Sequence, residues 1–127
     1  MTAGTQSVLS RIEFKGNHIR AVLYDRQTAL ETREFLVAVA AAAQEHQCGR
    51  VLVVVRESKP LFKVEDYGIS KYFKVLAGNT AYRVALHGDT EEMRVSHEYI
   101  VLLAKQHGAQ VQSFGNEPDA VRWLTAN

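Results

Sequence analysis

Strand and helix patterns follow one another along this chain in a regular order, and that order restricts the folds the chain can adopt. Two strand patterns come first, three helix patterns that are each followed by a strand come next, and a last helix pattern closes the series. Strands joined by helical crossovers run parallel, and such crossovers are almost always right-handed. The sequence therefore predicts an α/β fold with a mostly parallel sheet, an antiparallel N-terminal hairpin and the order β-β-α-β-α-β-α-β-α.

The strand predictions depend on turn residues, on alternation and on one continuous apolar run. Lys15-Gly16-Asn17 is a turn signal between two alternating segments, which is typical of a β-hairpin. Val51 to Val55 is apolar throughout and rich in β-branched residues, so it predicts a central strand that is covered on both faces. The other predicted strands are Ser7 to Phe14, His18 to Asp25, Ala81 to His87 and Ala109 to Phe114.

Helix boundaries are predicted from capping residues. Thr28 and Glu31 have the spacing of a capping box at the start of the first helix, and Gly49 is expected to end that helix. Asp89 is the expected N-cap of the third helix, and Asn116 is the expected N-cap of the last.

Composition and charge exclude several classes of function. The net charge of +1 gives no basis for attraction to nucleic acid or to an anionic membrane. Cys48 is the only cysteine, which excludes an intramolecular disulfide and suits a reducing compartment. The first seven residues lack the basic and apolar regions of a signal peptide, and the apolar runs are too short to cross a membrane. We expect one domain over 1–127, a cytoplasmic location and no membrane insertion. We expect no cofactor, since phosphate-binding and dinucleotide-binding glycine motifs are absent.

Polar residues follow the predicted parallel strands and are the candidates for a ligand site. The carboxyl ends of parallel strands meet at one rim, where α/β proteins bind ligands. An anion, a nucleotide or an apolar molecule is a possible small ligand there, and metal or acid-base chemistry by the acids and the histidine is the less favoured alternative. Caps, turns and solvated positions explain the same residues without any site. The candidates are Asp25, Arg56, Glu57, His87, Asp89 and Asn116.

The helix predicted over Glu65 to Ala77 and the loop before it are the candidates for a docking surface. The helix carries Tyr67, Tyr72 and Phe73, and the last two point about 100° apart on a helix, so that one of them is expected to be partly exposed. Tyrosine is enriched at protein interfaces, although flanking a core stripe is the alternative. The loop adds basic side chains beside Ser58, which suit an anion or simply solvent.

Three stretches of the chain resemble the STAS domain family. They are Arg50 to Val55, Tyr82 to Asp89, and Val111 to Phe114 together with Asp119 to Leu124. The chain is most similar to stand-alone STAS-like proteins grouped with anti-sigma-factor antagonists, many of them bacterial, and with SEC14-like domains. The resemblance implies a regulatory module that binds another protein or a second copy of itself, and its SEC14-like branch implies apolar ligands.

Antagonists of this family carry a phosphorylated serine in an Asp-Ser-Ser-Gly-like motif at the start of the helix after the central strand. The nearest match here is Asp66-Tyr67-Gly68-Ile69-Ser70, in which Tyr67 stands where the serine is expected. The resemblance therefore implies a docking surface over 56–72, and the departure at Tyr67 leaves open whether any phosphorylation switch remains. We expect a non-catalytic interaction module, with a small-ligand binder as the alternative. The expected partner-binding residues are Ser58, Lys59, Phe62, Asp66, Tyr67, Gly68, Ser70 and Tyr72.

Overall fold

A computed structural model describes residues 10–58, 69–78 and 81–126. Its elements follow the predicted order and confirm an α/β fold. They are β1 (Ser10–Phe14), β2 (Ile19–Tyr24), α1 (Ala29–Glu45), β3 (Arg50–Arg56), α2 (Ile69–Ala77), β4 (Arg83–Gly88), α3 (Glu91–Gln106), β5 (Val111–Ser113) and α4 (Glu117–Thr125). Within the described part of the chain, none of these helices has the length and apolar character needed to cross a membrane.

The strands form a five-stranded mixed sheet in the order β1-β2-β3-β4-β5. β1 pairs antiparallel with β2 around a turn in which Gly16 has a φ of 92°, a value that glycine adopts without strain. The other neighbouring strands pair in parallel, as the hairpin and crossover patterns predicted. The carboxyl ends of β2, β3 and β4 therefore lie side by side at one edge of the sheet.

Helices cover both faces of the sheet. Each parallel connection moves one strand further in the same direction, so right-handed crossovers place α1, α2 and α3 together on one face. Helix α4 packs on the opposite face over β3 and β4. Along β3, Val51, Val53 and Val55 face the three-helix side, whereas Leu52 and Val54 face α4. This alternation confirms that the continuous apolar run is a strand covered on both faces.

The start of α1 agrees with the prediction, but its end does not. The Thr28 side chain accepts a hydrogen bond from the Glu31 amide, and the Glu31 side chain accepts one from the Thr28 amide, so the capping box is formed. The prediction that Gly49 ends the helix is wrong. Helix α1 ends at Glu45, and Gln47 takes the left-handed conformation with a φ of 50°. Gly49 instead lies against the ring of Tyr82, where no side chain fits.

The prediction of the α3 cap is also wrong by one residue. The N-cap of α3 is Thr90, whose side chain accepts a hydrogen bond from the Met93 amide, and Asp89 lies just outside the helix. Asn116 caps α4 as predicted by accepting from the Asp119 amide. Helix α2 is described from Ile69 onwards, so the predicted start at Glu65 lies outside the described residues.

Candidate functional site

The ends of β2 and β3 carry two of the candidate ligand residues, and both are exposed. Asp25 and Glu57 have left-handed backbone conformations, with φ values of 50° and 49°. The Asp25 carboxylate accepts a hydrogen bond of 2.8 Å from the Gln27 side chain. The Glu57 amide donates a hydrogen bond of 3.0 Å to Oδ2 of Asp89. Asp89 therefore connects the end of β4 to the end of β3 instead of capping a helix.

Two other candidates turn toward the opposite face of the sheet, where α4 lies. The Arg56 guanidinium is 3.4 Å from Oε2 of Glu117, and Nδ1 of His87 is 3.1 Å from the carbonyl oxygen of Phe114. Arg20 donates to both carboxylate oxygens of Glu117 at 2.8 and 3.0 Å. Hydrogen bonding from Arg20 lowers the pKa of Glu117, and the charges of Arg20, Arg56 and His87 act in the same direction. Asn116 is occupied as the cap of α4.

The strand-end candidates thus divide into two groups instead of meeting at one point. Asp25, Glu57 and Asp89 lie at the exposed rim, whereas Arg56 and His87 surround Glu117 on the α4 side. In the part of the chain that the structure describes, no group of three or more histidine, cysteine, aspartate or glutamate side chains has the arrangement to hold a metal ion.

A cavity of about 60 Å³ lies between the sheet and the three-helix layer. Most of the described residues that line it are apolar, and the polar ones among them are Arg26, Thr32 and His97 together with the half-buried Tyr72. Arg26 follows β2, Thr32 lies in the first turn of α1, and His97 lies in the second turn of α3. All three therefore lie toward the carboxyl ends of the strands. The apolar lining residues include Leu23, Phe35, Val53, Val55, Ile69, Phe73, Leu86 and Ile100.

These polar groups are deeply buried. Arg26, Thr32 and His97 are 3%, 4% and 2% exposed. Neither the Thr32 hydroxyl nor Nδ1 of His97 has a hydrogen-bond partner among residues 10–58, 69–78 and 81–126. Burial, together with the nearby charges of Arg26 and His87, lowers the pKa of His97 to about 4. His97 is therefore neutral at physiological pH.

Sequence reasoning did not select Thr32 and His97, although a signal was available. Thr32 occupies a core-facing position of α1 in register with Phe35 and Val39, and His97 does the same in α3 beside Met93 and Ile100. Polar residues at core positions of amphipathic helices need hydrogen-bond partners, and this need makes them candidates for a functional site.

A groove of about 330 Å³ separates α1 from α2 on the outer surface of the helical layer. Val37 and Val75 on its two sides are 70% and 64% exposed. Tyr72, one of the predicted partner-binding residues, lines the groove and is half-buried, and burial raises its pKa to about 12. Phe73 is buried, so the prediction that one of the adjacent aromatics is partly exposed is confirmed. The groove is lined by Arg33, Leu36, Val37, Ala40, Lys71, Tyr72 and Val75.

The remaining predicted partner-binding residues have different positions. Ser58 is half-buried and holds two loops together, since its hydroxyl accepts from the Arg26 amide and donates to the Arg56 carbonyl oxygen, both at 2.9 Å. Ser70 belongs to the first turn of α2. Lys59, Phe62, Asp66, Tyr67 and Gly68 lie outside the described residues.

Helix α3 carries an exposed apolar stripe that sequence reasoning did not identify. Val95, Tyr99 and Leu102 recur at a spacing of four and three residues, so they share one face of the helix, and all three are exposed. Because Met93, Ile100 and Ala104 occupy the core-facing side, the stripe lies on the solvent side of α3. Glu91, Glu92 and Glu98 are exposed acids on the same helix.

The chain matches no protein-family model, and no curated protein or solved structure matches it. We therefore infer its function from the geometry of its own surfaces and cavity.

Proposed function

We propose that this chain is a non-catalytic, STAS-like interaction module that associates head to tail with copies of itself. In this association, the apolar stripe of α3 on one copy fills the groove between α1 and α2 of the next. The element order supports the STAS-like assignment. The observation that carries the association is the apolar groove, in which Val37 and Val75 remain 70% and 64% exposed.

Exposure of apolar side chains along a groove is the first reason to expect an occupant. Leu36, Val37, Ala40 and Val75 line the same groove, whereas exposed apolar residues on a monomer are usually scattered singly. A groove between two helices suits an amphipathic helix, which inserts side chains spaced by three and four residues. Burial of the exposed valines at roughly 25 cal/mol per Å² of apolar surface favours such a contact.

Helix α3 of a second copy has the features that the groove requires. Its stripe presents Val95, Tyr99 and Leu102 at the spacing of helix anchors. The groove carries the basic residue Lys71, and α3 carries three exposed acids, Glu91, Glu92 and Glu98, as well as the exposed basic residues Arg94 and Lys105. Charges of opposite sign on the two surfaces favour the encounter and the register of the complex.

Because the stripe and the groove are different surfaces of the same chain, their contact is heterologous. Each copy uses its stripe on one neighbour and its groove on another, which produces a ring when the rotation closes and an open chain when it does not. Tyr72, which lines the groove, belongs to the docking surface in this proposal as it did in the prediction from sequence. The proposed surface moves from 56–72 toward α1, since Ser58 serves to connect loops.

Mixing two interface variants tests this arrangement by sedimentation velocity. Val37→Lys places a charge in the groove and leaves the stripe intact, whereas Leu102→Lys does the opposite. We expect the wild-type protein to form oligomers, each variant alone to be monomeric, and an equimolar mixture to form a 1:1 dimer. Ala38→Lys is the matched control, because Ala38 is an exposed neighbour of Val37 that does not line the groove, and it should still form oligomers.

The same experiment has clear contrary results. A Leu102→Lys variant that still dimerises, with no dimer gained on mixing, would indicate a symmetric groove-to-groove contact and would exclude the role of α3. A wild-type protein that stays monomeric at about 100 μM, roughly ten times the dissociation constant of a weak association, would overturn self-association. Circular dichroism of every variant confirms that its helices are retained.

A further inference from the structure

We propose that the outer edge of β5 binds an extended segment of another protein, in which a basic and an acidic residue flank an apolar one. The segment adds a strand to the sheet, antiparallel to β5, in the cleft between α3 and α4. Neither the groove between α1 and α2 nor the stripe of α3 shares its lining residues with this cleft. The edge is therefore a surface independent of the self-association proposed above.

Backbone groups on the outer side of β5 are the first evidence for an added strand. Among the described residues, the sheet ends at β5, which pairs only with β4. Gln110 and Phe114 direct backbone groups to β4, through hydrogen bonds of 3.0 and 2.8 Å. Because successive residues of a strand alternate in the side to which they hydrogen-bond, Val111 and Ser113 direct their amides and carbonyl oxygens away from β4. Such an edge is a template for pairing with a further strand.

A cleft of about 400 Å³ lies along this edge. Val101 of α3 and Trp123 of α4 line the cleft and are both half-buried. The two helices pack on opposite faces of the sheet, so apolar surface is present on each side of the edge. In strand addition, main-chain hydrogen bonds provide affinity, and pockets for alternate side chains provide specificity. The cleft offers such contacts to both faces of an added strand.

Two opposite charges on α3 determine the chemistry of the segment. Glu98 and Lys105 are exposed, line the cleft and form no ion pair with another described residue. Glu98 lies beside the end of β5, since the Ser113 hydroxyl donates to its Oε2 at 2.5 Å. Lys105 lies toward the start of β5, since the carbonyl oxygen of the preceding Ala104 accepts from the Ala109 amide at 3.0 Å. The edge therefore has an acid at one end and a base at the other.

An antiparallel segment matches this order of charges. Residues opposite each other in an antiparallel pair share one face of the sheet, and both Val111 and Ser113 face α3. A basic residue opposite Ser113 lies near Glu98, an apolar residue lies opposite Val111, and an acidic residue opposite Ala109 lies near Lys105. The two charged residues of the segment are about 13 Å apart, at roughly 3.4 Å per residue. The two charges on α3 are about 10 Å apart along the helix, a difference that flexible basic side chains cover.

Titration with a synthetic peptide, followed by NMR of the isotope-labelled protein, tests the edge. The peptide is acetyl-Thr-Arg-Thr-Val-Thr-Glu-Thr-amide, and the protein is the Val37→Lys variant, in which the groove is blocked and the cleft is intact. We expect saturable shifts of the Val111 and Ser113 amides. Absence of saturable binding up to about 1 mM peptide, or shifts confined to other surfaces, would overturn the proposal.

Backbone N-methylation of the peptide distinguishes strand addition from side-chain contacts alone. In the proposed register, the amide of the central valine donates to the Val111 carbonyl oxygen, whereas the amide of the next threonine points away from β5. We expect N-methylation of the valine to weaken binding about tenfold and N-methylation of that threonine to change it less than about twofold. Equal effects of the two methyl groups would overturn the strand pairing.

A charge reversal on α3 tests the choice of segment. We expect Lys105→Glu, combined with Val37→Lys, to bind the peptide about fivefold more weakly, and to regain affinity for a peptide with arginine in place of the glutamate. Lys74→Glu is the matched control, since it makes the same charge change at an exposed position of α2 outside the cleft. Equal weakening by both variants would show that net charge alone acts and would overturn the assignment.

The outcome is distinguishable from that of the self-association experiment. A wild-type protein that proves monomeric should bind the peptide as Val37→Lys does, so a failure of self-association leaves the edge proposal intact. Conversely, absence of peptide binding leaves the mixed dimer of Val37→Lys and Leu102→Lys unaffected.

Discussion

The backbone amide of Glu57 donates a hydrogen bond of 3.0 Å to the carboxylate of Asp89, and this contact joins the ends of β3 and β4. Hydrogen bonds to ionised acceptors are stronger than neutral ones. We expect Asp89→Ala to lower the free energy of unfolding by about 1 kcal/mol, because the Glu57 amide loses its acceptor. Urea denaturation measures this loss. Asp89→Asn retains an acceptor oxygen and should lose less than half as much; equal losses in both variants would contradict the role of this bond.

Among the glycines that the structure describes, Gly49 has the closest neighbouring side chain, which is the ring of Tyr82. A Cβ atom placed on Gly49 would lie 2.1 Å from Cδ1 of Tyr82. We expect Gly49→Ala to lower the free energy of unfolding by about 1–3 kcal/mol, since the ring has to move out of its packed position. Gly115→Ala is the control, because a Cβ atom there meets nothing within 4 Å.

The double variant Gly49→Ala/Tyr82→Leu tests the cause of this effect. When the ring is absent, Gly49→Ala should lower the free energy of unfolding much less. Urea denaturation of both single variants and the double variant measures this difference as a coupling energy. Additive losses would show that the ring is not what excludes a side chain at Gly49.

The ion pair between Arg20 and Glu117 attaches α4 to β2. Its two hydrogen bonds measure 2.8 and 3.0 Å, and the two side chains are 23% and 27% exposed. We expect a double-mutant cycle with Arg20→Met and Glu117→Gln to give a coupling energy of about 1 kcal/mol, reduced from the buried value by partial solvent screening.

The pH dependence of this ion pair has a definite sign. The pKa of Glu117 is lower in the folded protein than its ordinary value of 4.5, so the unfolded chain takes up the proton first. The stabilisation is complete above pH 4.5 and is lost as the pH falls below it. Glu117→Gln should remove this part of the stability loss below pH 4.5. If urea denaturation showed the same loss of unfolding free energy at low pH in wild type and variant, Glu117 would not be its source.

His97 makes folding sensitive to mild acid by a different route. Its pKa falls from 6.5 in the unfolded chain to about 4 in the folded protein, mainly because of burial. Between these values the unfolded state binds more protons, so stability is complete above pH 6.5 and decreases as the pH falls toward 4. We expect the wild-type protein to lose about 2 kcal/mol between pH 7.5 and pH 5 from this group alone.

His97→Leu should flatten this dependence in thermal or urea unfolding at the two pH values. A residual slope is expected from His18, whose pKa is also lowered by burial and by the charges of Lys15 and Arg20. An equally steep decrease in wild type and variant would show that His97 is not the group responsible.

Local signals in the sequence predicted the capping box at Thr28, the Asn116 cap and the strand character of Val51 to Val55, because each depends on residues a few positions apart. Competition between neighbours was less predictable. Asp89 and Thr90 are both good N-cap residues. Thr90 takes the N-cap position because the Asp89 carboxylate instead accepts a hydrogen bond from the amide of Glu57, 32 positions earlier. Gly49 is likewise needed for its close contact with the Tyr82 ring and not for the end of α1.

The sequence by itself determined the order of the elements, the parallel sheet and the two-sided burial of β3, since periodicity and handedness act through short-range sterics. Only the tertiary structure decided where the polar residues meet. It turned Arg56 and His87 toward Glu117, brought Arg26, Thr32 and His97 to one cavity, and left a groove between α1 and α2. These arrangements depend on how helices distant in the sequence pack across the sheet, and no local pattern encodes the distances between them.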